Sequence, residues 1–327
     1  MNDGSSYTVL LFHSIDDRVK LSLKNLGNIR PETFEKVCSA LKREFDMVGI
    51  RELVDLISGS SGKRGRFLTV TFDDGPKSYA LNAAPILESL KIPSICFLIT
   101  GCIGDKAVYW RYLYNYCINA GFGGELAVLV NAEYGVSIKE KDIVSFTRSN
   151  YNREKTRRVM EGISRNIIAE EEYLEKENEL FLSYEDIRRL KGDPLVEFGI
   201  HTRTHPVMKG LGDEEIRDEI SGSAALYRER IGDDRPMFSV PFGRLYRDYD
   251  ERTIKSALDL STGVIFSAYG GRNRSGQSLY NIRRIPVHEG LLESGVDKLV
   301  RSLFDAEAGP EYLEAEKRLR AAVEQRS

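Results

Sequence analysis

The chain has 327 residues, of which 41% are hydrophobic and 30% charged, and its formal net charge is −3. That is enough for one large α/β domain or two ordinary ones with a sizeable apolar core, and the near balance of charge gives no electrostatic case for nucleic acid or an anionic membrane as partner. No apolar stretch approaches the roughly 20 residues of a membrane-spanning helix.

Met1 to Ser6 carry no basic residue, and the apolar run from Val9 to Phe12 is too short for a signal peptide. The protein is therefore expected in the cytoplasm. A first strand is predicted over residues 7–13, ending on His13, and a helix over 31–45 opens with Pro31, where no N–H is needed. The β-branched and apolar run 67–72 predicts the next strand, followed by a helix over 76–90. Further strands are predicted over 94–100, 196–201, 237–241, 262–267 and 281–287, with a helix over Asp213–Ile231 between two of them. Such alternation builds βα units around a largely parallel sheet or barrel. Residues 105–180 break the rhythm: they are long, highly charged, helical in pattern, and open with Tyr109, Trp110, Tyr112, Tyr114 and Tyr116. This stretch reads as an insertion, expected either to cap the site or to pack elsewhere as an appendage or dimer contact. Residues 308–327 hold a charged C-terminal helix without evident chemistry. Cys38, Cys96, Cys102 and Cys117 have no CxxC spacing and read as reduced, mostly buried thiols. Nothing in the pattern specifies an oligomer.

Two short segments carry the chemistry. Thr71-Phe72-Asp73-Asp74-Gly75 sets paired carboxylates at the end of a strand, and His201-Thr202-Arg203-Thr204-His205 sets two imidazoles four apart after another. One carboxylate and two histidines make a three-ligand metal site with room for water. The spare carboxylate can accept a proton, and the combination suits hydrolysis of an unreactive amide or ester. Alone, the Asp-Asp-Gly turn would read as a helix cap and either histidine as structural; together they argue for a site. Successive strand residues face opposite ways, so Asp73 and Asp74 need a turn to converge. That turn is predicted at Gly75 and Pro76, where the following helix N-terminus also favours negative charge.

In these motifs and their order the chain resembles the polysaccharide deacetylases with a NodB-type domain, carbohydrate esterase family 4, over residues 7–288. The resemblance implies an α/β fold, a distorted (β/α)7 barrel from residues 1–104 and 181–307, with the helical insertion 105–180 and the C-terminal helix 308–327 added. It implies a metal-dependent hydrolase that removes the N-acetyl group of an amino sugar in a polysaccharide, oligosaccharide or glycan precursor and releases acetate. By position, Asp73 is the base, while Asp74, His201 and His205 hold a divalent ion: zinc first, with nickel, cobalt, manganese or iron as alternatives. In Ser239-Val240-Pro241-Phe242-Gly243, the Phe242 N–H takes the place of an oxyanion donor. The family's usual arginine two residues before that proline is Ser239 here, so another group must orient the base. Arg284 is the expected substitute, with a surface ion pair as its plain alternative. His13 is expected as the general acid, because a subgroup resembling the exopolysaccharide N-deacetylases opens with a similar run. His288 lies where the family's late Leu-x-His motif would fall and competes for that role, or else contacts substrate. Tyr109, Trp110 and Phe242 are expected to stack on sugar faces, with core packing an equal alternative.

The same ligand types serve non-haem Fe(II) oxygenases, which have no evident use for Asp73. An inactive sugar-binding relative would lack Asp73 or a ligand, and all four positions are present. A non-sugar amide handled by the same mechanism remains an alternative. Enzymes acting on finished polymer are usually exported, so a cytoplasmic location favours a sugar nucleotide, lipid-linked precursor or oligosaccharide.

Overall fold

Every apolar run predicted as a strand contributes one: β1 (Ser6–Phe12), β3 (Arg66–Phe72), β4 (Ser94–Leu98), β5 (Val196–Ile200), β6 (Phe238–Ser239), β7 (Ile265–Gly270) and β8 (Ile282–Pro286). The short β2 (Asp46–Met47) is additional and pairs with the start of β3; two residues leave no periodic signal. The computed structural model describes residues 6–104, 107–232, 236–260 and 262–325. Residues 1–5, Asp105 at the expected start of the insertion, and residues 326–327 lie outside them. Among the described residues, seven strands close a parallel barrel in the order β1-β3-β4-β5-β6-β7-β8, with β1 paired to both β3 and β8.

Strand alternation sorts the side chains. Tyr7, Val9, Phe67, Ile95, Phe97 and Phe266 meet in an inner cluster. Their neighbours Leu10, Phe12, Leu68, Val70, Cys96 and Leu98 pack outward with helices such as Pro31–Glu44 and Asp213–Ile231. Helix Ile50–Ser58, not anticipated from the sequence, adds Ile50, Leu53, Leu56 and Ile57 to the inner cluster beside the N-terminal strand residues Tyr7 and Phe67. It stoppers that end of the barrel and leaves the C-terminal mouth for chemistry.

Two predicted elements differ for local reasons. The expected strand 262–267 begins only at Ile265, because Thr262 N–H bonds to Ala257 O and closes the preceding helix. The expected helix 76–90 opens with a π-turn over Tyr79–Ala83 before Ala84–Ser89. Pro85 has no N–H to return to the preceding turn, and the wider turn accommodates the missing bond.

Residues 107–180 fold as helices Trp110–Asn119, Gly123–Tyr134, Ile143–Ser149, Arg153–Asn166 and Glu170–Lys176. Tyr114, Cys117, Leu126, Val130, Ile143 and Ile163 form their core, which also takes in Leu23, Ile99, Phe181 and Val207 from the barrel's segments. Helix Pro310–Glu324 buries Leu319 and Val323 and returns Glu316 to Arg283 and Asn281 of the barrel wall. All four cysteines are free and buried.

Gly199 of β5 lies where a Cβ would stand 2.5 Å from the Phe97 ring and 2.8 Å from Met237 O. Gly199→Ala is therefore expected to destabilise the fold by about 1–3 kcal/mol through overpacking, read as a lower urea midpoint with an unchanged m-value.

Candidate active site

β3 hands the chain to Asp73 with strand alternation intact, so Asp73 faces inward like Thr69 and Thr71. Its N–H donates to Phe12 O at 3.0 Å, tying it to the end of β1. Its carboxylate, in a residue 3% exposed, accepts Arg284 Nη1 and Nη2 at 2.8 and 2.7 Å and Ser239 Oγ at 3.1 Å. Arg284 is fully buried rather than on the surface, and also donates to Ser267 O, Thr71 Oγ1 and Ser239 Oγ. Burial alone would raise the Asp73 pKa; Arg284, and after it His201, outweigh burial and hold it below the ordinary value. Ser239 thus suits the position where an arginine was expected: it is small enough to admit Arg284 from β8 and supplies a hydroxyl to the pair.

Asp74 turns the other way. Its φ of 73° lies in the left-handed region, as does that of Gly75 at 69°. The turn predicted at Gly75 and Pro76 therefore begins one residue earlier, and it brings the second carboxylate back to the mouth. Asp74 Oδ2 accepts the Tyr112 hydroxyl at 2.8 Å; Oδ1 is buried without a donor, 3.5 Å from His201 Nε2 and 3.3 Å from His205 Nε2. Burial opposes its ionisation, and His205, His13 and His201 more than offset this, so its pKa lies far below the usual carboxylate range.

His201 follows β5, and its Nδ1 lies 2.7 Å from Ser239 O. A carbonyl only accepts, so Nδ1 carries the hydrogen and Nε2 keeps its lone pair. Burial pushes its pKa down to about 4 against the pull of Asp73, leaving it neutral near pH 7 as a metal ligand must be. His205 Nε2 stands 3.1 Å from His201 Nε2. Left-handed φ values at Thr202 and His205, 64° and 56°, curl the loop between the histidines. Thr202 Oγ1 then accepts His205 N–H at 3.0 Å and donates to His201 O at 2.6 Å. The buried Glu219 accepts the N–H groups of Arg203 and Thr204.

Asp74 Oδ1, His201 Nε2 and His205 Nε2 are thus buried and 3.1–3.5 Å apart. A tetrahedral ion with bonds of about 2.0–2.1 Å sets its ligands ~3.3–3.4 Å apart, so the three fit a small divalent ion. Two imidazoles argue against magnesium or calcium. The same residues line a cavity of about 140 Å³, together with His13, Leu26, Tyr109, Arg111, Arg148, Phe242 and Tyr269. Burial holds the His13 pKa below its ordinary value, against the opposing charges of Asp74 and Asp73. Phe242 has φ 60°, Gly243 N–H turns to Pro241 O, and among the described residues Phe242 N–H has no acceptor. The Tyr109 ring packs 4.5 Å from that of His205.

Three sequence candidates lie outside this lining: Arg284, which reaches the site through Asp73, and Trp110 and His288, which do not line it at all. Trp110 is buried against Tyr114 and Tyr151 in the insertion core, so its ring is unavailable to a sugar; its indole N–H donates to His205 O at 3.3 Å and steadies the ligand loop instead. His288 shares strand parity with the inward Arg284 and the cavity-lining Pro286, but the chain leaves β8 there and His288 becomes the exposed N-cap of helix Glu289–Leu292, so its ring meets solvent. Arg111, Tyr112, Arg148 and Tyr269 were not anticipated. The aromatic cluster flagged the neighbourhood of Tyr112, but no local pattern joins Arg148 to the buried Asp248, which accepts its Nε and Nη2 at 2.8 and 2.6 Å.

A parallel barrel with this mouth defines a class, the hydrolases that use a metal ion to attack an unreactive acyl bond. The family model for polysaccharide deacetylase matches residues 60–263, and the chain belongs to that family. Solved structures share the fold. IcaB from Ammonifex degensii is 17% identical with a TM-score of 0.62, covering 92% of this chain and 98% of its own. The deacetylase PplD of Streptococcus pyogenes, in complex with acetate, is 14% identical with a TM-score of 0.60, covering 91% and 98%. A de-N-acetylase from Aggregatibacter actinomycetemcomitans is 13% identical with a TM-score of 0.59, covering 91% and 100%. No curated protein matches the sequence. The protein is a hydrolase of non-peptide carbon–nitrogen bonds that deacetylates N-acetylated carbohydrate with a divalent metal ion. Among the described residues no helix is long and apolar enough to cross a membrane.

The Thr202 hydroxyl makes two of the hydrogen bonds that shape the loop between the histidines. Thr202→Val keeps the branched shape and loses both, and is expected to weaken metal affinity about 10- to 100-fold in chelator competition, with circular dichroism unchanged.

Proposed function

We propose that Asp74, His201 and His205 hold zinc, that Asp73 is the base, and that His13 protonates the leaving nitrogen as an amino sugar loses its N-acetyl group. The observation that carries this reading is the division of labour between adjacent carboxylates. Asp73 is bound by Arg284, whereas Asp74 Oδ1 is left open toward two histidine nitrogens. A bound ion would supply Lewis acidity and a lowered water pKa. A two-histidine, one-carboxylate set suits zinc, and nickel, cobalt, manganese or iron accept the same donors.

Asp73 Oδ2 lies 3.7 Å from His201 Nε2, within reach of a water beside the ligands. Kept ionised by Arg284, it takes one proton as the water oxygen adds to the acyl carbon. Phe242 N–H, free of any internal acceptor, is the donor for the developing oxyanion. His13 gives its proton to the nitrogen as the carbon–nitrogen bond breaks, the acid product sheds the water's second proton as acetate, and Asp73 loses its proton to solvent while His13 regains one. Burial lowers the His13 pKa against the pull of Asp74 and Asp73, so its proton-bearing form is favoured as the pH falls.

Residues 107–180 act in this scheme as a cap that forms part of the site. Tyr112 binds Asp74, Trp110 binds the backbone of His205, and Arg111 and Arg148 line the cavity. At about 140 Å³ the cavity is below the ~300–1,000 Å³ of ordinary ligand pockets. It takes the acetamido group and leaves the rest of the substrate at the mouth.

The test is acetate release from N-acetylated oligosaccharides, with bound-metal analysis on the same samples. A chelator should abolish release and zinc restore it. Asp73→Asn should keep its metal and lose about 10²–10⁴ in rate; full activity would remove the base assignment. His13→Asn should lose a comparable factor on the amide but far less on an aryl acetate, whose leaving group needs no proton. An equal loss on both substrates would count against His13 as the acid.

A further inference from the structure

Among the described residues Arg111 has no ion-pair partner. It lines the catalytic cavity, its Nε is buried without a partner, and it makes no hydrogen bond or ion pair with a described residue. It sits in the first turn of helix Trp110–Asn119, the end where the helix dipole disfavours a cation, so helix stability does not account for it. Its guanidinium lies 5.3 Å from the Phe242 ring centre, which limits its freedom. Arg148 approaches the same ring at 4.6 Å; Asp248 occupies its Nε and Nη2. The nearby Asp73 and Asp74 are committed to Arg284 and to the proposed ion. With a divalent ion on Asp74, the charges of Arg111, Arg148, Arg284 and the ion would exceed those of Asp73, Asp74 and Asp248, an excess that a neutral sugar does nothing to relieve.

We propose that Arg111, with Arg148 beside it, is a subsite for an anionic group, phosphate or carboxylate, carried by the N-acetylated sugar. This rests on the deacetylase reading above and narrows it: the substrate is an acidic sugar derivative. Guanidinium is suited to both groups because its planar fork pairs with two oxygens at once. Arg111 is a specificity-determining residue, and its effect is expected mainly in KM.

The experiment compares acetate release from N-acetylglucosamine with release from N-acetylglucosamine 1-phosphate, N-acetylglucosamine 6-phosphate and N-acetylmuramic acid, whose arms separate phosphate from carboxylate. In parallel, calorimetry measures binding of the deacetylated counterparts to the metal-loaded protein. The parent should favour at least one anionic sugar over the neutral one by about tenfold or more in kcat/KM and in affinity. Arg111→Gln, checked for unchanged metal content and circular dichroism, should collapse that preference toward unity, and Arg111→Lys should recover part of it. Equal handling of neutral and anionic sugars by the parent, or a preference that survives Arg111→Gln, overturns the subsite. Release of acetate from no sugar would instead strike the deacetylase reading, while calorimetry would still decide the anion site.

Discussion

Arg284 is a charge without access to water, set among the aromatic rings of Phe97 and Phe266. Taking a guanidinium out of water costs several kcal/mol even after relaxation, and it is tolerable here because Asp73, Ser267, Thr71 and Ser239 accept its hydrogens. That arrangement fixes what each aspartate can do. Asp73 cannot swing to a metal without stranding Arg284, which is why Asp74 is the carboxylate proposed as ligand. Two carboxylates in one cavity would ordinarily compete, with one driven to hold a proton. Separate partners, Arg284 for one and the histidines for the other, hold both pKa values down.

The mouth is also where the backbone is least ordinary. Non-glycine residues with positive φ are uncommon, and Asp74, Thr202, His205 and Phe242 are four of the eight in the described chain. Each follows a barrel strand, and each reverses a side chain or an N–H that continued alternation would send elsewhere. Such conformations cost of order 1–3 kcal/mol apiece and persist where the surroundings over-determine them. Here the surroundings are visible: Tyr112 on Asp74, the Thr202 hydroxyl across the histidine loop, and the Phe242 ring among His205, Arg111 and Arg148.

These features explain what could be read from the chain alone. The barrel strands are short apolar runs whose burial is dictated by composition, so their existence was legible and only their ends moved, as at Thr262. The metal candidates were legible because each lies in a short motif. Arg284 was reachable by noticing that Ser239 leaves the base without its usual partner. His13 over His288 could not be decided by pattern, since alternation from Arg284 and Pro286 would turn His288 inward as well, and only the helix that starts at Glu289 leaves it in solvent. The cap contributions were hidden for a different reason. Tyr112 to Asp74, Arg148 to Asp248 and Arg153 to Glu219 span 38, 100 and 66 positions, and their choice depends on how one helical layer settles on another.

The distribution of the parts around the barrel carries one more consequence. The family match over residues 60–263 leaves out both β1 and β8, which supply His13 and Arg284. Those two strands are neighbours: Leu10 pairs with Ile285 and Leu11 with Pro286, while β1 pairs along its other edge with β3 from Ser6–Arg66 to Phe12–Phe72. Three adjacent strands therefore present His13, Asp73 and Arg284, the proposed acid, the proposed base and the group that binds that base. The seam that closes the barrel, between its first and last strands, is also where these parts meet. A partly assembled barrel with β8 undocked would keep Asp74, His201 and His205 together, since β3, β4 and β5 are already joined. It would leave Asp73 without its buried cation, so the proposed ligands and the proposed base rest on different strand pairings of one mouth.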